Sequence, residues 1–322
     1  MKIPILNLEH IEARHALLTP HNISMRQIFP WAFSIQRILH VVRPVPFSGT
    51  HLFIGSDYGG NHKGSAYNSY AFVVVNDKPS QWLLMQRNIR ARYLPNARRM
   101  SFKRLNDPHR QEALIPFLQA ADTLDGHLVV FLVHKSVRLH PSKEGDVQKW
   151  RQLLTLSAKW NHRAFEEALR KVHFFSLLVS GWSQPLMDVT WISDQDEFVD
   201  NEQRLDDAQK IAARISTLYL QHTLRVFAMN TTQIDGPGRE YEDLVAIPDL
   251  AAGMLSELSS ALAKGTAWSD FNGRNLLEDG AIQIKSDVIS DWFWHEGANL
   301  HRTCIVLDKV ADKSRVFKLD RL

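Results

Sequence analysis

Short apolar runs that suit β-strands alternate with longer helical segments through most of this chain. The runs that we predict to be strands are "THLFIGSD", "SYAFVVVND", "HLVVFLVH", "LMDVTWISD" and "TLRVFAMN". Each is short and rich in β-branched or aromatic residues, which is typical of a buried strand. Between them lie helical segments such as "DPHRQEALIPFLQAADTLDG", where Asp107 is a candidate N-cap and Pro108 the first helical residue. Strands that alternate with helices predict an α/β fold with a mixed β-sheet flanked by helices.

The predicted elements divide the chain into three consecutive segments. Residues 1–50 mix helical stretches with prolines and are expected to form an N-terminal helical extension. Residues 51–263 hold the alternating strands and helices of the core. Residues 264–322 are expected to form a C-terminal α/β tail packed on that core, with a helix near "KSDVISDWFW" and strands in "HRTCIVLDKV" and "SRVFKLD". A chain of 322 residues is long enough to bury an extensive core in this arrangement.

Several aspartates fall at the edges of these predicted elements. Asp57 ends the first strand, Asp194 and Asp196 follow "DVTWIS", and Asp249 lies in the first turn of a helix predicted to begin at Pro248. Carboxylates on rigid elements can hold two divalent ions about 3.5–4 Å apart, an arrangement that hydrolyses phosphodiesters. Each residue also has a structural interpretation. Asp57 would be a turn residue, Asp194 and Asp196 cap or loop residues, and Asp249 a residue that complements the helix dipole.

Two strings, "WISDQDEFVDNEQRL" and "REYEDLVAIPDLAAG", resemble the ribonuclease H-like domain-of-unknown-function family numbered 3800. The resemblance covers residues 51–263 and is most specific in the second half. It implies a ribonuclease H-like fold and metal-dependent nuclease chemistry. In the family pattern, one early and one mid-chain strand end in Asp, and a late helix carries an Asp before Ala-Gly. The matching positions are Asp57, Asp194 with Asp196 and Glu197, and Asp249 before Ala252 and Gly253.

The resemblance also implies a role for each candidate residue. Asp57 would bridge two Mg²⁺ or Mn²⁺ ions, Asp194 or Asp196 would hold one of them, and Asp249 would hold the other. Lys103 would follow the third strand toward the site and neutralise the scissile phosphate. The alternative for Lys103 is an exposed lysine at the end of a strand.

The expected third strand departs from the family pattern. We predict "QWLLMQRN" and "ARRMSFKRL" to be extended, and many relatives carry a Glu two positions before the Lys of that strand. Here Ser101 stands in front of Lys103. Unless Glu112, Glu242 or Asp243 supplies the missing ligand, the chain could be a catalytically impaired nucleic-acid-binding or scaffold protein of the same fold.

The stretch "RNIRARYLPNARRMSFKR" carries six arginines and one lysine and no acidic residue. The arginines are Arg87, Arg90, Arg92, Arg98, Arg99 and Arg104. Such a stretch suits contacts to phosphates, and Tyr93 or Phe102 could stack on an unpaired base, although a solvated basic face is the alternative. It predicts RNA or DNA as the partner and disfavours a hydrolase of non-nucleic substrates.

Other classes of protein lack support in the sequence. The single cysteine, Cys304, excludes an intramolecular disulfide and a multi-cysteine zinc site. The sequence has no HxxxH zinc motif with a partnering Glu, no complete phosphate-binding P-loop motif and no Gly-x-Ser-x-Gly elbow. The net charge of +3 permits a nucleic-acid partner without requiring one. We see no secretory signal and no membrane-spanning apolar run, and expect a cytoplasmic protein with a homo-oligomer or protein partner possible.

Overall fold

The computed structural model describes residues 5–6, 29–42, 47, 49–76, 80–137, 144–196, 198–262, 282–296, 298–310 and 313–319. By its internal contacts the chain divides into two compact units, each built from two separate segments. Unit 1 comprises residues 1–54 and 138–234, and unit 2 comprises residues 55–137 and 235–322. This division cuts the chain at other points than the three consecutive segments expected from the sequence.

The described elements follow one another in α/β fashion. In chain order they are β1 (Ile5–Leu6), α1 (Ala32–Val42), β2 (His51–Gly59), β3 (Tyr67–Asn76), α2 (Ser80–Tyr93), α3 (Pro108–Ala121), β4 (Gly126–His134), α4 (Glu144–Leu154), α5 (His162–Trp182), β5 (Asp188–Ser193), α6 (Glu202–Ser216), β6 (Val226–Thr231), α7 (Glu240–Leu262), α8 (Ile284–Trp294), β7 (Leu300–Val310) and β8 (Lys313–Leu319). Two short 3-10 turns lie at Phe102–Arg104 and Thr232–Ile234.

Unit 1 has the strand order β1-β6-β5-β2, and of β2 only residues 51–54 belong to this unit. β5 and β6 are parallel, in register from Asp188 opposite Val226 to Ser193 opposite Thr231. Helix α5 covers this part of the sheet, and its Phe175 stacks on Trp191 of β5 with ring centroids 4.1 Å apart. Both rings are almost completely buried, so they lie at the centre of the unit 1 core.

Unit 2 has the strand order β2-β3-β4-β7-β8. β3 and β4 are antiparallel, β4 and β7 are parallel, and β7 and β8 are antiparallel. Helix α7 packs on β3, and α8 packs on α7. Glu257 of α7 accepts hydrogen bonds from the Ser286 hydroxyl (2.6 Å) and the Gln283 N–H (2.8 Å), and these bonds fix the start of α8. The mixed sheet flanked by helices is the α/β class expected from the sequence.

Some elements match the sequence-based predictions and others do not. Helix α3 begins at Pro108, and Asp107 caps it by accepting a hydrogen bond from the Arg110 N–H. "QWLLMQRN", expected to be extended, is part of α2 instead, and "ARRMSFKRL" forms a loop and a 3-10 turn. The segment is helical because Leu, Met, Gln and Arg are strong helix formers and because Trp82, Gln86 and Ile89 lie buried along one helical face.

Helix α7 also differs from its prediction, because it begins at Glu240 and keeps Pro248 inside it. Glu240, Glu242 and Asp243 in the first turn complement the helix dipole, which favours this early start. Asp249 therefore lies near the middle of the helix. By length and mean hydropathy (1.2), residues Glu240–Ala261 could cross a membrane, but 72% of the tested window is buried inside the structure, as in the core helix of an α/β fold.

Candidate metal and nucleic-acid site

Two glycines of β2 bring that strand close to helix α7 in unit 2. A Cβ atom at Gly55 would lie 3.5 Å from Val245 Cγ2, and a Cβ atom at Gly59 would lie 3.3 Å from the carbonyl oxygen of Ala252. Glycine inside a strand often marks such a close approach of another element. Residues 55–59 of β2 therefore run in the same direction as residues 245–252 of α7.

Asp57 and Asp249 occupy the facing stretches of these two elements. Alternate residues of a strand lie on the same face, so Asp57 shares the α7-facing side of β2 with Gly55 and Gly59. Asp249 precedes Ala252 by three residues, and residues three apart on a helix are neighbours on one face. The structure therefore places the first and last of the predicted metal ligands on contacting segments.

Both carboxylates accept backbone hydrogen bonds. Asp57 Oδ1 accepts one from the Tyr58 N–H at 2.7 Å, and Asp249 Oδ2 accepts one from the Phe102 N–H at 2.8 Å. Both residues are partly exposed. These bonds hold the two side chains in defined positions without enclosing them.

The Phe102–Arg104 turn is docked on α7 beside Asp249. A Cβ atom at Gly253 would lie 2.2 Å from Phe102 Cγ, so the phenyl ring occupies the space that a larger residue would need. Lys285 of α8 donates to the Phe102 carbonyl oxygen (3.1 Å), and its Nζ lies 4.3 Å from the centre of the phenyl ring. The turn is thereby fixed from two sides.

Lys103 lies in this turn and not on a third strand, so that expectation was wrong. The ring of Phe102 packs against α7 at Gly253, and the backbone forms a 3-10 turn here where an extended strand was predicted. Lys103 and Arg104 are both exposed, and within the described part of the chain neither makes an ion pair. Lys103 and Arg104 directly follow Phe102, whose N–H donates to Asp249, so both cations belong to the turn that is docked beside this carboxylate.

The other two predicted ligands lie in unit 1. Asp194 follows the last residue of β5, and its Oδ1 accepts hydrogen bonds from the Gln195 N–H (2.9 Å) and the Thr232 hydroxyl (3.2 Å). Asp196 pairs with the almost completely buried Lys171 of α5 at 2.7 Å. Because a buried ammonium needs an opposite charge, this pair gives Asp196 a structural role. Glu197, which also matches the family pattern, lies outside the described residues.

The donor set suits a hard cation but is small. Among the described residues, no three His, Cys, Asp or Glu side chains form a group that could hold a metal ion. Mg²⁺ is commonly held by one or two carboxylates, with waters and substrate phosphates completing its shell. Asp57 and Asp249 supply oxygen ligands of this kind, which also suit Mn²⁺.

Arg90 of the basic stretch belongs to a buried ion pair. Its guanidinium donates to both oxygens of Asp243, from Nε at 2.5 Å and from Nη2 at 2.7 Å. Gln86 donates to the same carboxylate at 2.6 Å. Burial raises the pKa of Asp243, against the opposing effect of the hydrogen bonds and charge of Arg90. This pair joins α2 to the first turn of α7, so Arg90 is not available to bind a phosphate.

Three more arginines lie within ion-pair distance of carboxylates outside the basic stretch. Arg87 pairs with Glu240 at 2.9 Å. Arg98 pairs with Asp107 at 2.5 Å, and Arg99 lies 3.7 Å from Glu242. Two of these carboxylates come from the start of α7, about 150 residues further along the chain. They neutralise much of the stretch and make Glu242 and Asp243 poor candidates for a missing metal ligand.

Arg92 and Arg104 differ from the other four arginines. Both are exposed, and neither forms an ion pair with the described residues. Arg92 lies over the ring of Tyr93, with its guanidinium carbon 5.0 Å from the ring centre. Of the predicted nucleic-acid contacts, these two arginines and Lys103 remain available to a phosphate.

The sequence-based reasoning missed Phe102, Gly253 and Lys285 as the residues that position the basic turn. A signal was present, because a glycine inside the apolar helix "DLAAGMLSEL" weakens the helix unless another element needs the space. The partner that fills this space cannot be identified from the helix alone.

Comparison with known proteins gives no match to any family model, curated protein or solved structure. The resemblance to the ribonuclease H-like family numbered 3800 thus rests on the residues quoted above.

Proposed function

We propose that this chain is a ribonuclease H-like, divalent-metal-dependent nuclease that hydrolyses phosphodiester bonds of RNA or DNA in the cytoplasm. The observation that carries the proposal is the placement of Asp57 and Asp249 on facing segments of β2 and α7, with the turn bearing Lys103 and Arg104 docked beside Asp249. A carboxylate pair bordered by exposed cations suits a phosphodiester and its metal ion.

The sheet supports the finer fold assignment. Unit 2 contains an antiparallel pair, β3 and β4, unit 1 contains a parallel pair, β5 and β6, and helices lie between the strands along the chain. The candidate carboxylates lie on β2, immediately after β5, and on α7. This distribution over two strands and a later helix follows the pattern implied by the family resemblance.

Each residue has a separate role in the proposed reaction. Asp57 and Asp249 would hold a divalent ion, and the ligand role of Asp194 stays a prediction from the sequence. When bound, Mg²⁺ or Mn²⁺ would supply an activated water and stabilise the leaving oxygen. Lys103 and Arg104 bind the phosphate and offset the charge that develops on it. The Phe102 N–H keeps Asp249 in position through its 2.8 Å hydrogen bond.

A catalytically impaired nucleic-acid-binding or scaffold protein is the second candidate. The bond from Phe102 to Asp249 favours it, since this carboxylate already has a structural partner. So does the count of nearby ligands, because the described residues offer no group of three. Such a protein would keep the basic turn and bind nucleic acid without cutting it.

Cleavage assays separate the two candidates. The purified chain is incubated with Mg²⁺ or Mn²⁺ and single- or double-stranded RNA or DNA, and compared with Asp57→Asn and Asp249→Asn. We expect each substitution to slow cleavage by at least about 100-fold, since each removes a metal ligand. Asp206→Asn, a partly exposed aspartate paired with Lys210 on α6, is the matched control and should cut normally.

The same assays can contradict the proposal. Cleavage that survives both ligand substitutions would remove this carboxylate pair from the mechanism. Binding by the wild-type chain without cleavage under any metal condition would favour the scaffold protein. Mn²⁺ binding, followed by its spectroscopic signal in the wild type and both variants, reports on the site independently of turnover.

A further inference from the structure

The ion pairs between helix α2 and the first turn of α7 are of two kinds. Arg90 and Asp243 pair where their side chains are 11% and 1% exposed, whereas Arg87 and Glu240 pair where theirs are 66% and 39% exposed. A buried pair cannot open without leaving a charge that water does not solvate. An exposed pair shifts the equilibrium between its closed and open forms by a factor of about five at most. The Arg87–Glu240 pair can therefore open while the Arg90–Asp243 pair keeps the two helices joined.

The contact of Arg87 with Glu240 uses a small part of the guanidinium. Arg87 Nη2 donates to Glu240 Oε1 at 2.9 Å, and this is the one hydrogen bond that the guanidinium makes to the described residues. A guanidinium has five N–H donors in a planar fork, which matches a carboxylate or a phosphate with two parallel bonds. A phosphate can thus offer Arg87 at least as many hydrogen bonds as Glu240 does.

Arg87 lies on an outer face of α2 that carries positive charge. The helix Ser80–Tyr93 contains no acidic residue. Its exposed residues are Gln81, Leu84, Arg87, Asn88, Ala91 and Arg92. Positions 84, 87, 88 and 91 are spaced by three and four residues, so they form one stripe, and Arg92 borders it. The negative charge that Arg87 meets comes from α7 and not from its own helix.

Glu240 can lose its partner without a large cost. It is the first residue of α7, where the N-terminal end of the helix dipole stabilises a negative charge. Its side chain is partly exposed, so water solvates the carboxylate when Arg87 moves away. Exchange of Arg87 from Glu240 to a phosphate therefore leaves no bare charge inside the fold.

We propose that Glu240 competes with nucleic acid for Arg87, holding this arginine in the free chain and releasing it to a phosphate of a bound RNA or DNA strand. The contact is thus autoinhibitory, because it lowers the affinity of the chain for a polynucleotide. This inference rests on the proposed nucleic-acid function and deepens it. Arg92, Lys103 and Arg104 supply the phosphate contacts that do not depend on this exchange.

Binding measurements test this competition without relying on cleavage. Labelled single-stranded DNA and RNA of about 20 nucleotides are titrated with the full chain in EDTA, and binding is followed by fluorescence anisotropy. We expect Glu240→Gln to bind about two- to fivefold more tightly than wild type, since Arg87 no longer has to leave a carboxylate. Arg87→Gln should bind more weakly, with a slope of log K against log salt that is lower by about 0.7.

A double variant shows whether Glu240 acts through Arg87. In Glu240→Gln, Arg87→Gln the arginine is absent, so the charge of Glu240 has no partner to withhold from the strand. We expect this variant to bind like Arg87→Gln alone. Thermal unfolding of each variant checks that the compared chains are folded.

The matched control is an ion pair of unit 1. Asp188→Asn changes the net charge by the same amount as Glu240→Gln and releases Arg225, which is exposed. Its affinity for either strand should equal that of the wild type. An equal gain for Asp188→Asn and Glu240→Gln would mean that net charge alone acts, and the proposed competition falls. It also falls if the gain persists in the double variant or if no variant binds either strand.

The outcomes separate this inference from the nuclease proposal. If Glu240→Gln binds more tightly while the wild type fails to cut with any metal, the competition stands and the nuclease proposal falls. If the wild type cuts but Glu240→Gln binds no more tightly than it does, the nuclease proposal stands and the competition falls.

Discussion

The ring of Phe102 fills the space that a side chain at Gly253 would need, since a Cβ atom there would lie 2.2 Å from Phe102 Cγ and 2.8 Å from Phe102 Cβ. Contacts this short do not occur between real atoms, so any larger residue must displace the ring. The same turn donates the hydrogen bond to Asp249. Packing at one helix position thus controls the geometry of a candidate metal ligand.

Gly253→Ala should therefore lower both stability and activity. We expect a loss of about 1–3 kcal/mol in the free energy of unfolding, because the added methyl group overpacks the contact with Phe102. Urea denaturation followed by circular dichroism measures this loss. In the double variant Gly253→Ala, Phe102→Ala, the clash is relieved, so its loss should be smaller than the sum of the single losses. If the loss of the double variant equals the sum of the two single losses, the ring of Phe102 does not clash with a side chain at position 253.

Replacement of the buried Asp243 should destabilise the fold far more than replacement of its exposed neighbour Glu240. Asp243→Asn removes the carboxylate that binds Arg90 most closely and leaves only Glu242, 3.5 Å away, in a site where the side chains of Asp243 and Arg90 are 1% and 11% exposed. We expect a cost of about 3–5 kcal/mol in the free energy of unfolding. Glu240→Gln breaks only a surface pair with Arg87 and should cost under about 1 kcal/mol. Equal costs in chemical denaturation would contradict this distinction.

Asp207 should be the most sensitive acidic residue of helix α6. It is fully buried and accepts hydrogen bonds from the Ser157 N–H (2.9 Å), the Ala158 N–H (2.9 Å) and the Trp160 indole (2.8 Å). Asp207→Ala leaves three donors without an acceptor, at about 1–3 kcal/mol each before relaxation. Thermal unfolding should show a large decrease in Tm. The adjacent Asp206→Ala, which removes only an exposed pair with Lys210, should leave Tm nearly unchanged.

Stability should fall in acid through His127 in unit 2. Burial lowers the pKa of His127 from 6.5 to about 3, with smaller contributions from His301 and Lys318. The unfolded chain takes up a proton below about pH 6.5, whereas the folded chain stays neutral at this residue down to about pH 3. The contribution of His127 to the free energy of unfolding is thus fully present above pH 6.5. It decreases as the pH falls, by up to about 1.4 kcal/mol per pH unit.

Urea unfolding of wild type and His127→Gln across this pH window isolates that contribution. The variant lacks the titrating group, so its stability should decrease less steeply between about pH 6.5 and 3. His109→Gln, which replaces an exposed histidine of α3, should follow the wild-type profile. Parallel profiles for wild type and His127→Gln would mean that this residue does not couple folding to pH.

Local signals in the sequence were sufficient for most strands and for the start of α3. The run "HLVVFLVH" became β4 because its residues are apolar on both faces and it is buried on both. Asp107 caps α3 because Asp followed by Pro suits a helix start whatever surrounds it. These features depend on neighbouring residues alone, so they could be read without the fold.

Features that depend on distant partners could not be read in this way. The basic stretch seemed uncompensated because Glu240, Glu242 and Asp243 lie about 150 residues away from it. The ion pair of Asp196 with Lys171 joins a loop to a buried helix face, and periodicity does not identify that partner. Asp57 and Asp249 could be proposed from their positions at the edges of predicted elements and from the family resemblance, but their placement on facing segments depends on the packing of β2 on α7.

The discontinuous make-up of the two units has a consequence for the order in which a nascent chain can fold. Unit 2 begins at residue 55 but obtains α7, α8, β7 and β8 only from residues beyond 235. While the first 234 residues emerge from a ribosome, β3 and β4 lack the helix that covers them, and the apolar edge of β4 lacks its parallel neighbour. Asp57 and Asp249 belong to the two parts of unit 2, so the proposed metal site cannot form before the helix that carries Asp249 has been synthesised.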